Sequence, residues 1–177
     1  MSQETQQVGI FPTRILLAID GSEETELATR KAVDLAYRTG SELHLVYVGQ
    51  LPNFLMKDLD TLGFDRTLYD EIEQESLEVL WRLTWRVKAA GGTVAGAHLR
   101  MGDVAEEIMN LAKHLEADLI VMGSRGRGGV RRVIEGSISD LVVRRAHCPV
   151  MVMRVDSNQE HKGFWRRVFS SGSANSG

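Results

Sequence analysis

Short apolar runs alternate with longer amphipathic stretches along most of the 177-residue chain. The runs are RILLAI from Arg14 to Ile19, LHLVYV from Leu43 to Val48, TVAGAHL from Thr93 to Leu99, LIVM from Leu119 to Met122 and VMVM from Val150 to Met153. Three of them are unbroken rather than alternating, the pattern of strands covered by helices on both faces. Between them the apolar positions recur at helical spacing. From Glu23 to Thr39, Leu27, Ala28, Ala32, Leu35 and Ala36 share one face, with Ser22 placed to cap the start and Gly40 to stop the end. From about Asp65 to Ala90, Ile72, Val79, Leu80, Leu83 and Val87 form a longer stripe. From Asp103 to Glu116 the stripe is Val104, Ile108, Leu111 and Leu115, and Asp103 and Glu106 have capping-box spacing. A last helix over Ser137 to Ala146 carries Ile138, Leu141 and Val142. This strand–helix alternation predicts an α/β fold with a doubly wound, mainly parallel sheet and helices on both faces.

The same pattern divides the chain. Residues 13–155 read as one domain, with an N-terminal tail at 1–12 and a flexible C-terminal tail at 156–177 that ends in SSGSANSG. The stretch from Gly49 to Phe64 is the longest irregular connection and a candidate mobile flap. Hydrophobic residues make up 43% and charged residues 25%, as in ordinary globular domains. Net charge is -3 from 21 basic and 24 acidic residues, so no overall field gathers nucleic acid or anionic membrane. Any basic site has to be local. Cys148 is the single cysteine, which excludes an intrachain disulfide and suits a reducing compartment. MSQETQQVG lacks the basic start and apolar stretch of a secretory signal, no run is long enough to span a bilayer, and the expected location is the cytoplasm.

One connection departs from ordinary loop composition. VMGSRGRGGVRRVIEGSIS, from Val121 to Ser139, places five glycines and four arginines directly after a buried strand pattern. In an open parallel sheet, ligands settle beyond the carboxyl ends of the strands, where the winding direction switches. Gly123 and Gly126 can let peptide N–H groups converge and a phosphate approach without a Cβ in the way. Gly136, Ser137 and Ser139 then open a helix, whose free N–H groups and positive dipole end favour an anion. Arg125, Arg127, Arg131 and Arg132 supply counter-charge or simply a solvated surface. No Gly-Lys-Ser/Thr of the P-loop kind is present, and AIDGSEE after the first strand lacks the dinucleotide G-x-G-x-x-G. Glu23, Glu24 and Glu26 load the first helix start with negative charge, which phosphates avoid. Asp20, at the end of the first strand, can accept hydrogen bonds from a ribose hydroxyl or a base amino group, or cap the turn at Gly21 and Ser22; both roles are compatible.

These residues resemble the universal stress protein family. Gly123, two residues, Gly126, nine residues, then Gly136 and Ser137 match that family's nucleotide-binding signature, and ILLAIDGSE, LHLVYV, ADLIVMGSRGRGG and HCPVMVMR look like its characteristic segments in their usual order. The resemblance runs from about Arg14 to Arg154. It implies a Rossmann-like sheet of five strands that binds ATP, or ADP or AMP, with Mg2+ as a candidate companion ion, and that forms a homodimer. On this chain it implies Asp20 and Val48 at the adenosine end, with Ala18 and Ile19 lining the crevice. It further implies Met122, Gly123, Arg125, Gly126, Gly136, Ser137, Ile138 and Ser139 around the ribose and phosphates. The last strand, Val150 to Met153, is the expected dimer edge.

The expected function is thus an adenine-nucleotide-binding stress-response module acting through dimer or partner surfaces. The alternative is a slow ATP hydrolase or nucleotidyl transferase in the same crevice. His44, His98, His114, His147 and His161 are scattered, with no metal-ligand spacing, and no metal site or catalytic residue is assigned. A weaker reading takes RGRGG as an RNA contact, which predicts steep salt dependence. KGFWRRVF, from Lys162 to Phe169, lies outside the family pattern and suits either a short amphipathic surface helix touching lipid or a partner, or a tail folded back on its own domain.

Overall fold

The computed structural model describes residues 12–52, 66–124 and 138–155. The elements are β1 (Arg14–Ala18), α1 (Glu23–Thr39), β2 (Glu42–Gly49), α2 (Arg66–Ala89), β3 (Gly96–Met101), α3 (Val104–His114), β4 (Leu119–Gly123), α4 (Ile138–Arg145) and β5 (Val150–Met153). The strands form one sheet in the order β3-β2-β1-β4-β5, and every neighbouring pair is parallel.

Alternation along the strands sorts the core into two layers, because successive side chains on a strand point to opposite faces. Ile15, Leu17, Leu43, Leu45 and Val121 pack against Ala28, Ala32 and Ala36 of α1 and Leu80, Leu83 and Val87 of α2. Leu16, Val46, Ile120 and Met122 pack against Ala105, Ile108, Leu111 and Ala112 of α3 and Val142 of α4. Fully burying one such aliphatic side chain contributes about 1.5–3 kcal/mol, so each face is fastened by several independent contacts. β1, at the centre, is sealed on both sides, while β3 and β5 are edges and hold only partly buried side chains apart from exposed Ala97.

The helix ends follow local chemistry. Ser22 caps α1 by accepting from the Thr25 N–H at 3.3 Å, and Gly40 closes it in a left-handed conformation at φ 69° with its N–H on the Ala36 carbonyl. Asp103 caps α3 by accepting from the Glu106 N–H at 3.0 Å. Some expectations shift. The third strand begins at Gly96 rather than Thr93 and runs on through Arg100 and Met101, because backbone pairing with His44–Gly49 of β2 fixes its length. The buried face of α1 includes Thr25 and Thr29, whose hydroxyl groups are hydrogen-bonded, while Leu27 is only partly buried. Ile138 is 40% exposed, and Ser139 and Val142 are the buried positions of α4.

Candidate functional site

The winding reverses between β1 and β4: the chain proceeds from β1 outward to β3, then returns to β4 and ends at β5. The carboxyl ends of these two central strands therefore bound the crevice where ligands of open parallel sheets lie. Ala18, Asp20, Met122, Gly123 and Ser124 reach it from β1 and β4, and Val48 from the end of β2.

Ala18, Val48 and Met122 belong to the apolar layer shared with α3 and α4, so one wall of the crevice is apolar and continuous with the core. Ile19 is 4% exposed and packs in the opposite layer with α1 and α2; its N–H bonds the Val46 carbonyl at 2.9 Å. It braces the crevice floor from behind.

Asp20 is anchored by its own turn. One carboxylate oxygen accepts from the Ser22 N–H at 2.9 Å and the Ser22 hydroxyl at 2.7 Å, and also from the Thr25 hydroxyl. The capping role is thus realised, and it fixes the carboxylate at the mouth of the crevice. Ser22 is the turn partner expected from the sequence, and Thr25 is an additional one. Glu23, Glu24 and Glu26 do fall in the first turn of α1.

Gly123 has a role beyond loop freedom. A Cβ there would stand 2.8 Å from the Glu24 Cβ and 3.1 Å from the Thr25 backbone nitrogen. The bare glycine lets the first turn of α1 close directly on the end of β4.

Beyond Gly123, the Ser124 N–H bonds the Met153 carbonyl at 2.7 Å, and the Ser139 hydroxyl donates to the Ser124 carbonyl at 3.2 Å. That second bond ties the start of α4 to the end of β4. Among the described residues, the Ser124 hydroxyl oxygen is buried without a hydrogen-bond partner. Leaving a hydroxyl oxygen buried and unpaired costs about 1–3 kcal/mol, which makes Ser124 the most informative side chain of the crevice. The signal in the sequence was its place between Gly123 and Arg125, immediately after the strand. Asp140 puts a negative charge in the first turn of α4, offset by an ion pair with Arg144 at 3.1 Å. Arg125, Gly126, Gly136 and Ser137, together with Arg127, Arg131 and Arg132, lie outside the described residues, as do the candidate flap from Asn53 onward, residues 1–11 of the N-terminal tail and the C-terminal tail with KGFWRRVF.

A separate cavity of about 20 Å3 lies behind the crevice, between α1 and α2, lined by residues including Ile19, Thr25, Glu26, Leu83 and Arg86. It holds one water at most. Burial there raises the Glu26 carboxyl above its ordinary value, against the opposing pull of Arg86 and Arg30. Among the described residues, no group of three or more His, Cys, Asp or Glu side chains is arranged to hold a metal ion, and no helix is long and apolar enough to cross a membrane.

The model of the universal stress protein family matches residues 12–154. The universal stress protein YxiE of Bacillus subtilis is 32% identical over 146 residues, covering 80% of this chain and 98% of YxiE. Among solved structures, the universal stress protein UspA from Lactobacillus plantarum superposes with a TM-score of 0.61 at 27% identity, over 82% of this chain and 100% of that one. A universal stress protein from Archaeoglobus fulgidus in complex with dAMP shares the fold, with a TM-score of 0.58 at 23% identity over 80% of this chain and 98% of that one. With a family match spanning the sheet and its helices from end to end, the chain belongs to the universal stress protein family.

Proposed function

We propose that the crevice between the ends of β1 and β4 binds an adenine nucleotide, ATP or its ADP and AMP relatives, and that the protein works as a nucleotide-responsive binding module. The observation that carries this reading is the buried Ser124 hydroxyl beside the start of α4, which has no partner among the described residues. A phosphate or ribose oxygen at that point supplies the missing partner. The dAMP held by the Archaeoglobus fulgidus relative is a ligand of this chemical class.

In this reading Ala18, Val48 and Met122 receive the apolar adenosine end, and Asp20, held in place by Ser22 and Thr25, accepts from a ribose hydroxyl or the base amino group. Gly123, Ser124, Arg125, Gly126, Gly136, Ser137, Ile138 and Ser139 surround the ribose and phosphates, with the helix dipole of α4 adding a favourable field. Mg2+, where it accompanies ATP, screens the phosphate charges. Charge-assisted hydrogen bonds contribute about 1.5–3 kcal/mol each, so three or four suffice for micromolar binding after ordering costs. Residues 13–155 form the binding domain, and the outer edge of β5 pairs with a second copy.

Calorimetric titration with ATP tests the assignment. Gly126→Val is expected to weaken binding tenfold or more in a folded protein, and Ser124→Ala to weaken it by a smaller factor. Unchanged affinity in a folded Gly126→Val protein overturns the phosphate assignment. Sustained phosphate release that scales with protein and vanishes in Asp20→Asn makes the module an enzyme. Binding that ATP does not displace from RNA and that collapses with salt makes it an RNA-binding protein.

A further inference from the structure

His44 and His98, which stand 54 positions apart in the chain, meet on the α3 side of the sheet, at the end remote from the crevice. His44 Nδ1 and His98 Nε2 are 3.2 Å apart. The ring centroids are 5.5 Å apart and the planes are inclined by 28°. That centroid separation is the N···N contact plus about one ring radius at each end, so both nitrogens lie on the line between centroids. The rings meet edge to edge, with one N–H aimed straight at the other ring's lone pair. Lone pairs that face each other do not converge on a third point, so the geometry suits a shared proton and not an ion ligated by both nitrogens.

Gly96 makes this contact possible. It sits opposite His44 in the ladder, and a Cβ there would stand 2.8 Å from each of the two bonded nitrogens. The surrounding charges come from every neighbouring element. Glu42 of β2 places its Oε2 3.6 Å from His44 Nε2, too far for a hydrogen bond, and that ring nitrogen is buried without a hydrogen-bond partner among the described residues. The same Glu42 oxygen accepts from Arg14 Nε of β1 at 3.1 Å, and a second Arg14 nitrogen donates to the Leu115 carbonyl at the end of α3. Arg100 of β3, itself 4.0 Å from Glu107 of α3, and His114 of α3 act on His98.

We propose that His44 and His98 form a single-proton site: the pair takes up one proton while keeping its N···N bond and refuses a second until that bond is broken. In the neutral pair, His98 donates to His44 Nδ1, and the His44 Nε2–H faces the Glu42 carboxylate; the opposite tautomer would set a lone pair against a negative charge. One added proton enters at the unprotonated His98 Nδ1, the bridging proton passes to His44 Nδ1, and the charge rests on His44 beside the Glu42 carboxylate, so that the N–H···N contact becomes a charge-assisted bond, about twice as strong as a neutral one. A second proton places N–H against N–H and forces the rings apart, with Gly96 and the edge strand β3 giving way. The pair thus acts as a pH-responsive latch on the β2–β3 edge, independent of the nucleotide crevice. The burial of His98 and its neighbours His44, Arg100 and His114 lower its proton affinity in the same direction.

Imidazole 15N NMR of the whole protein across pH 4 to 9 tests this. The expected result is two titration steps, each seen at both rings and separated by more than about one pH unit. Amide hydrogen exchange at Gly96 to His98 is expected to accelerate at the second step and not at the first. In His98→Asn, His44 should titrate in a single step, and in His114→Gln the split should persist. Independent single steps near the ordinary histidine value of about 6.5 overturn the proposal, as does a split that survives His98→Asn or disappears with His114→Gln.

Discussion

Gly123 and Asp20 show how one residue can serve both packing and the proposed site. Replacing Gly123 by Ala drives a methyl to within 2.8 Å of the Glu24 Cβ, on a helix that cannot retreat without opening the α1 layer. Overpacking of this kind costs about 1–3 kcal/mol; urea denaturation of Gly123→Ala should show a loss in that range. Replacing Asp20 by Ala removes the acceptor of the Ser22 and Thr25 donors. That loss is expected to lower stability by about 1–3 kcal/mol, with nucleotide affinity falling as well, measured by denaturation and calorimetry on the same sample. The sequence made Gly123 and Asp20 visible through their motif positions. It did not show that Gly123 faces Glu24, because that contact joins two elements almost a hundred residues apart. Ser124 was hidden for a related reason: a serine in a glycine-rich stretch is ordinary until burial strips its hydroxyl of partners.

At the scale of elements, local signals were legible because their partners are local. Ser22, Gly40 and Asp103 act within a few residues of themselves, and each caps the helix that its residue type and spacing predict. Asp103→Ala is expected to cost about 1 kcal/mol through loss of the bond to the Glu106 N–H, read as a shift of the urea midpoint with an unchanged slope. The third strand was less legible. Its apolar run is broken after Leu99 by Arg100, whereas the ladder carries Arg100 and Met101 into register with Val48 and Gly49. Edge strands are defined by their neighbour's backbone more than by their own side chains, so periodicity marks them poorly.

For the whole molecule, the pH dependence of stability should carry two separate signatures. The Asp118 carboxyl lies below the ordinary aspartate range, first because the Thr13 hydroxyl donates to it, with the Thr13 and Arg14 backbone N–H groups adding to the effect. A lowered acid contributes stability that is complete above about 3.9 and is lost as pH falls through the folded value. His98 is also lowered, chiefly by burial. For this base the unfolded chain binds the proton more readily, so the contribution is complete above about 6.5 and declines as pH falls below it. Denaturation midpoints should therefore fall in two stages on acidification, the upper stage shrinking in His98→Asn and the lower in Thr13→Val. In sedimentation equilibrium the proposed β5 pairing predicts the mass of two chains; a single-chain mass at all concentrations removes it.

The alternation of strand and helix, the helix caps and the glycine signature were all determined by the sequence alone, since each depends on residues close in the chain. Pattern also sufficed for the two-layer core, because a buried parallel strand has to be apolar on both faces. Only the tertiary structure decided which residues meet across the sheet: Gly123 against Glu24, Ser139 on Ser124, and His44 nose to nose with His98. Those contacts depend on strand order and register, which are set by packing over the whole domain, and no local spacing encodes them.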